Sequence, residues 1–216
     1  MRRIAAMTFA TVCMLGGADP ANAQELAVGL VAGFNFATLG VEDDEGADLD
    51  PRTGIGIGAH GYLQLKRELG LVAELRYSQK GAKVAVGEAR ETRQLDYLEL
   101  PVLVRYEVPT TAAGTVEPHI AGGFALGFEV GCRFHAESGG VTVTVGCDEV
   151  GLETKGVDLG FMFQGGFDIL VGPGALMLDV AYNFGITNIN DVSDEGSVKN
   201  RMLYLTAGYK YPLGSI

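Results

Sequence analysis

Along most of this chain, apolar residues recur at every second position, and that period limits what the chain can fold into. In Thr53–Lys66 one set of positions reads Ile55, Ile57, Ala59, Gly61, Leu63 and Leu65, and the other reads Gly54, Gly56, Gly58, His60, Tyr62, Gln64 and Lys66. A period of two sends successive side chains to opposite faces of a strand, whereas a helix would repeat at 3.6. Leu69–Lys80 sets Leu69, Leu71, Ala73, Leu75 and Tyr77 against Glu74, Arg76, Ser78 and Lys80. Leu98–Val108 sets Leu98, Leu100, Val102, Val104, Tyr106 and Val108 against Glu99, Arg105 and Glu107. The pattern recurs in Leu26–Phe36, Val116–Val130, Val157–Val171, Leu176–Ile186 and Arg201–Tyr211. Eight strands are therefore predicted, each long enough for the roughly 9–11 residues with which a tilted strand crosses a bilayer. No apolar run after residue 23 reaches the roughly 18–20 residues of a spanning helix.

The connections set the topology. Arg67-Glu68, Pro109–Thr115 and Gly172-Pro173-Gly174 are short, while Leu39–Arg52, about Ala82–Arg93, His135–Lys155 and Asn188–Asn200 are longer. Short and long alternate, as in a barrel with tight turns at one rim and external loops at the other. The prediction is an all-β fold, an eight-stranded antiparallel up-and-down transmembrane β-barrel.

The alternation alone permits either face to point inward, including the inverted, lipocalin-like arrangement with the apolar face inside. Polar-inside is favoured because the apolar faces carry aromatic and long aliphatic residues to their ends. The Gly-rich polar faces would also let a narrow barrel close around charged side chains. The polar set contains eight acids, Glu74, Glu99, Glu107, Glu117, Glu129, Asp158, Asp168 and Asp179. Six bases accompany them (Lys66, Arg76, Lys80, Arg105, Arg133, Lys210), with His60 and His119. An interior charge network is expected from these residues, because an unmatched buried charge costs several kcal/mol.

The first residues read as an export signal. Arg2 and Arg3 precede the apolar stretch Ile4–Leu15, and Ala21-Asn22-Ala23 offers a small-x-small cleavage site. The expected domains are a cleaved signal, 1–23, and a barrel, 24–216. Two bases and one acid leave with the signal, so the net charge moves from −11 to −12. Such acidity argues against nucleic acid as a partner. Cys132 and Cys147 remain, an even count that in an exported protein reads as a disulfide. Gly139-Gly140 lies midway between them, and pairing outward from residues 138 and 141 places the two cysteines opposite each other.

Leu30-Val31-Ala32-Gly33-Phe34-Asn35-Phe36, Glu74–Ala82, Leu95–Tyr106, Pro118–Gly123 and the Gly208-Tyr209 pair resemble the outer-membrane β-barrel domain family, often called porin family proteins and related to small OmpA/OmpX-like barrels. The resemblance implies residence in the outer membrane of a Gram-negative-type cell, passage through periplasmic chaperones and the barrel-assembly machinery, and contact with outer-membrane lipid and lipopolysaccharide. Such barrels commonly end on an aromatic residue, whereas this chain runs on from Tyr211 through Pro212-Leu213-Gly214-Ser215-Ile216.

An eight-stranded barrel is just wide enough for side chains to fill it. The function expected is therefore a structural or interaction role for a plugged barrel, as a monomer without metal or cofactor. The alternative is a narrow, low-conductance pore for water or small ions. A lipid-modifying enzyme has only the trio His135, Glu137 and Ser138 in its favour, with no surrounding motif, and no catalytic residue is predicted. Three long connections hold thirteen acids against Arg52, Lys155 and Lys199. The densest run, Glu42, Asp43, Asp44, Glu45, Asp48 and Asp50, is expected to hold divalent cations weakly through its carboxylates. In the remaining loop, Lys83, Arg90 and Arg93 could meet lipid phosphates.

Overall fold

The computed structural model describes residues 25–41, 50–86, 89–110, 114–151, 155–189 and 197–215. They form nine strands: β1 (Glu25–Val41), β2 (Asp50–Lys66), β3 (Leu69–Val86), β4 (Ala89–Glu107), β5 (Val116–Ser138), β6 (Val141–Gly146), β7 (Val157–Val171), β8 (Gly174–Gly185) and β9 (Val198–Ser215). One 3-10 turn, Asp148–Val150, follows β6. All pairings are antiparallel between sequence neighbours in the ring, and β1 pairs with β9 while β4 pairs with β5. Eight strands therefore close on themselves. The ninth, β6, is a branch that pairs with the upper part of β5.

The register gives the shape of the closed ring. Starting at Tyr62, direct partners run Val72, Leu103, Gly123, Met162, Asn183, Met202 and Ala37, and return to β2 at Arg52. One circuit thus climbs ten residues along β2, from 62 to 52. That stagger tilts the strands and fixes a narrow barrel. Some walls are tight enough that only glycine fits: a Cβ on Gly33 would lie 2.8 Å from the Thr206 Cα.

Side chains sort as the alternation requires. Leu30, Phe34, Ile57, Leu75, Val104, Ile120, Phe163, Leu178 and Val180 are exposed around the outer wall. Glu74, Arg76, Lys80, Glu99, Arg105, His119, Asp158 and Asp168 are buried inside. A wall that exposes large apolar residues all round cannot face water without a large cost, since monomeric soluble proteins rarely expose wide contiguous apolar patches. The barrel is polar-in and apolar-out.

The strands outrun their expected limits at the long-loop end. β3 and β4 pair out to Val86 and Ala89, so most of the expected connection Ala82–Arg93 is a hairpin. His135–Ser138 belongs to β5, and Val141–Gly146 forms β6, inside what reads as a single long loop. Above the apolar band neither face of a strand meets lipid. The greasy-polar alternation therefore stops while the backbone ladder continues. Between Asp96 and Tyr97, β5 carries one residue more than β4, with Gly131 opposite Asp96 and Glu129 opposite Tyr97. This bulge at Val130 exchanges the faces of β5 above it. Arg133 consequently points outward, correcting its expected place among the lumenal bases.

Candidate functional site

Among the described residues, the lumen contains two ion-paired clusters. Toward the short-turn end, Asp168 accepts hydrogen bonds from Arg105 Nη2 and Lys210 Nζ, both at 2.5 Å. The same guanidinium donates to both Glu107 oxygens at 2.8 and 3.1 Å. His119 Nε2 lies 2.7 Å from Asp179 Oδ1. Arg105 and Lys210 also stand over the Tyr62 ring, 5.3 and 4.7 Å from its centroid.

The second cluster lies toward the long-loop end. Lys80 Nζ is 2.8 Å from Glu99 and 3.0 Å from Asp158. The Tyr204 hydroxyl donates to Glu99 at 2.6 Å, and Asn200 and Thr187 donate to the two Asp158 oxygens at 2.8 and 3.0 Å. Arg76 forms a two-pronged pair with Glu74, both contacts at 2.8 Å, and lies 4.4 Å from the Tyr204 ring centroid. On β4, β5, β7 and β8 the positions between the clusters carry Leu103, Ala121, Ala125, Met162 and Ala181, all buried. The charges are gathered into two tiers with apolar packing between them on that side.

Of the eight acids and three arginines expected in the interior, seven are buried there: Glu74, Arg76, Glu99, Arg105, Asp158, Asp168 and Asp179. Glu107 is half-buried beneath Arg105, and Glu129 is half-buried on the inner side of β5. Burial pulls the Arg93 guanidinium below its ordinary pKa, with the nearby Glu129 carboxylate opposing the shift. Arg93 shares the parity of the buried Leu95 and Tyr97 on β4, so it faces inward and is set apart from Lys83 and Arg90. Glu117 is exposed at the short-turn mouth, opposite Asp168 in register. The alternation overlooks the tyrosines: Tyr97 and Tyr204 are fully buried against cations. The available signal is an aromatic residue at lumenal parity; its cation, Arg76 or Lys80, comes from another strand, β3. At Gly160 the Asn183 side chain fills the space a Cβ would need.

Above the outer cluster the lumen is capped by apolar side chains. Leu95, Tyr97 and Ile189 are fully buried together, with Leu39, Cys132 and Val198 packed around them. Ile189 is fixed by its backbone, whose N–H donates to Val198 O and whose carbonyl accepts from Lys155 N–H, both at 2.9 Å. Cys132 is joined to Cys147 by a disulfide, with Cα atoms 5.5 Å apart. The expected hairpin tip is present, since Ser138 pairs with Val141 across Gly139 and Gly140.

The trio His135, Glu137 and Ser138, for which no catalytic role is predicted, is not brought together on one face. His135 and Glu137 share the outward face of β5, while Ser138 lies on the other, and His135 Nδ1 contacts Thr144 Oγ1 at 2.8 Å. Of the acidic run, Glu42, Asp43, Asp44, Glu45 and Asp48 lie outside the described residues, and Asp50 is exposed at the start of β2.

No curated protein matches the chain. Among solved structures, it is similar to Neisserial surface protein A at 17% identity and a TM-score of 0.49, covering 86% of this chain and 96% of that one. The attachment invasion locus protein Ail of Yersinia pestis is 13% identical with a TM-score of 0.46, over 87% and 99% of the two chains. The outer membrane protein OprG of Pseudomonas aeruginosa is 12% identical with a TM-score of 0.43, over 88% and 96%. The family model described as the outer membrane protein beta-barrel domain matches residues 22–191, and the chain belongs to that family.

Proposed function

We propose that this protein is a closed, non-conducting barrel of the outer membrane that carries a rigid sheet above the lipid, in a structural and interaction role. The carrying observation is the paired state of the lumenal charges. Lys80, Glu99, Asp158, Arg105, Asp168 and Lys210 are held in short contacts across the barrel, and in this reading those contacts close the polar path. A buried charge left without its partner is strongly unfavourable, which holds these pairs together. The cap of Leu95, Tyr97 and Ile189 adds an apolar barrier at the outer mouth. In this reading residues 1–23 are a cleaved export signal, periplasmic chaperones and the barrel-assembly machinery deliver the chain, and it works as a monomer.

One observation favours the second reading, a narrow path for water or small ions. His60 Nε2, Arg76 Nη1, Asn183 Oδ1 and Asn200 Oδ1 are buried without a hydrogen bond inside the protein. Buried polar atoms of this kind are ordinarily served by ordered water. Single-channel recording on refolded full-length protein separates the two. Silence across repeated insertions supports the closed barrel, and steady openings of one size would replace it with the pore.

A further inference from the structure

Five strands rise beyond the apolar band on one side of the barrel, and their outward face is a continuous polar surface. Direct pairing places Asp50, Lys83, Thr92, His135 and Thr144 in one row across β2, β3, β4, β5 and β6. A second row holds Arg90, Glu137 and Thr142, and a third, nearer the band, holds Gln94 and Arg133. Paired residues share a face, and this face is opposite the one carrying Leu95 and Cys132 into the cap. Between the rows lies a cleft of about 520 Å³ lined by Asp50, Lys83, Arg90, Thr92, His135 and Glu137.

From this geometry we infer that the outward face of the projecting sheet binds the phosphorylated saccharide headgroup of an outer-leaflet glycolipid. Position gives the first argument. The wall directly below ends in exposed Leu98 and Val130, so a lipid standing against that wall brings its headgroup to Arg133 and its sugars to the rows above. Arg133 sits only three residues past Val130, about 10 Å along an extended strand. It is anchored by Asp96 at 3.0 Å, and its side chain remains 54% exposed.

The chemistry gives the second argument. Lys83 and Arg90 are exposed, and their cationic heads suit phosphate oxygens. Thr92, Thr142 and Thr144 supply hydroxyls, and Asp50 and Glu137 can accept from sugar hydroxyls. A bare phosphate would use the cations alone, whereas a phosphorylated sugar uses the whole surface. Contrast with the rest of the rim gives the third: apart from Asp50 and Glu137, which lie on this face, the other three external connections carry eleven acids against three bases. An anionic headgroup is repelled there and admitted here.

This inference rests on the outer-membrane reading but not on whether the barrel conducts. The test uses full-length protein refolded into phosphatidylcholine vesicles, with rough lipopolysaccharide as the probe and co-sedimentation as the measure of binding. Combined Lys83→Ala, Arg90→Ala and Arg133→Ala should weaken binding roughly a hundredfold, about fivefold per cation removed near an anionic surface. Arg67→Ala, at the opposite rim, should change nothing. Dephosphorylated lipopolysaccharide should bind weakly to all forms, and inorganic phosphate should not compete at millimolar concentration. Full binding by the triple variant overturns the proposal, and so does effective competition by inorganic phosphate, which would mark a soluble-ion site. Where the triple variant does not refold, Lys83→Ala alone serves, with a fivefold loss expected and no loss counting against. A protein that does not become heat-modifiable in these vesicles would instead count against the outer-membrane reading itself.

Discussion

Val143 on β6 and Val180 on β8 are exposed to almost the same degree, 54% and 51%, yet they stand in different solvents. Val180 belongs to the ring of apolar side chains that girdles the barrel, and Val143 stands on the branch that rises beyond it. The difference teaches that accessible area has no sign until the surroundings are known. In the band, an exposed valine satisfies the lipid. On the branch, it is a tolerated apolar residue beside Thr142 and Thr144 at the border of the sheet.

The same contrast divides two lysines three residues apart on β3. Lys80 is buried between Glu99 and Asp158, and Lys83 is exposed on the outward face. Lys80→Met should produce the largest loss expected here, about 3–5 kcal/mol, because it strands two carboxylates in the lumen. Lys83→Met should stay within about 0.5 kcal/mol in neutral lipid. Urea titration of the heat-modifiable gel shift measures both. Equal losses would mean that the projecting part of β3 is as tightly built into the barrel as its lower half.

Next in size comes the pair of valines. Val180→Arg should cost about 2–4 kcal/mol, the range for arginine near the bilayer midplane on the lipid face. Val143→Arg should cost no more than about 0.5 kcal/mol. The titration just described reads both, and similar costs would remove the distinction between band and branch.

The band was legible in the sequence and the branch was not, for one physical reason. Lipid on one side and ion pairs on the other imprint opposite demands on alternate residues, so the period can be read from Ile55, Ile57 and Leu75 against Glu74 and Arg76. Above the band both faces meet water, loops or each other, and stretches such as Lys83–Val86 and Ala89–Arg93 carry no such imprint although they pair as regularly as the rest. The bulge at Val130 was invisible for a related reason: one extra residue changes which face Arg133 occupies without changing composition. The Cys132–Cys147 link was legible because Gly139-Gly140 marks a turn by its own chemistry. The lumenal tiers were legible in their charges but not in their partners, since pairing Lys80 with Asp158 requires the register across β4 and β5, the two strands that separate β3 from β7.

The disulfide sharpens the comparison in a third way. It closes a span with a sequence separation of 15, for which chain entropy gives roughly 3 kcal/mol, and it lies wholly on the branch side. Reduction should therefore speed amide exchange in β6 and upper β5 while the ring strands keep their protection. Mass-resolved hydrogen exchange with and without reductant measures this. Faster exchange in β8 and β9 as well would show that the link braces the barrel and not the branch alone.

Glycine should reverse the contrast, with the smallest effects. Gly56 lies in the band, and a Cβ built on it meets nothing closer than the Tyr77 carbonyl at 3.6 Å. Gly56→Ala should therefore gain about 0.5–1 kcal/mol from reduced freedom of the unfolded chain. Gly139 stands at the tip of the branch with open space around it, but its φ is +58°. A Cβ there is strained whatever the room, at roughly 1–2 kcal/mol. That cost falls on the hairpin alone, so amide exchange in β6 detects it while the global midpoint does not move. Crowding would then matter least where the barrel wall looks tightest, and backbone conformation most where the chain looks freest. A lowered global midpoint for Gly139→Ala would show instead that the turn organises the whole barrel, and the separation of band from branch would have to be abandoned.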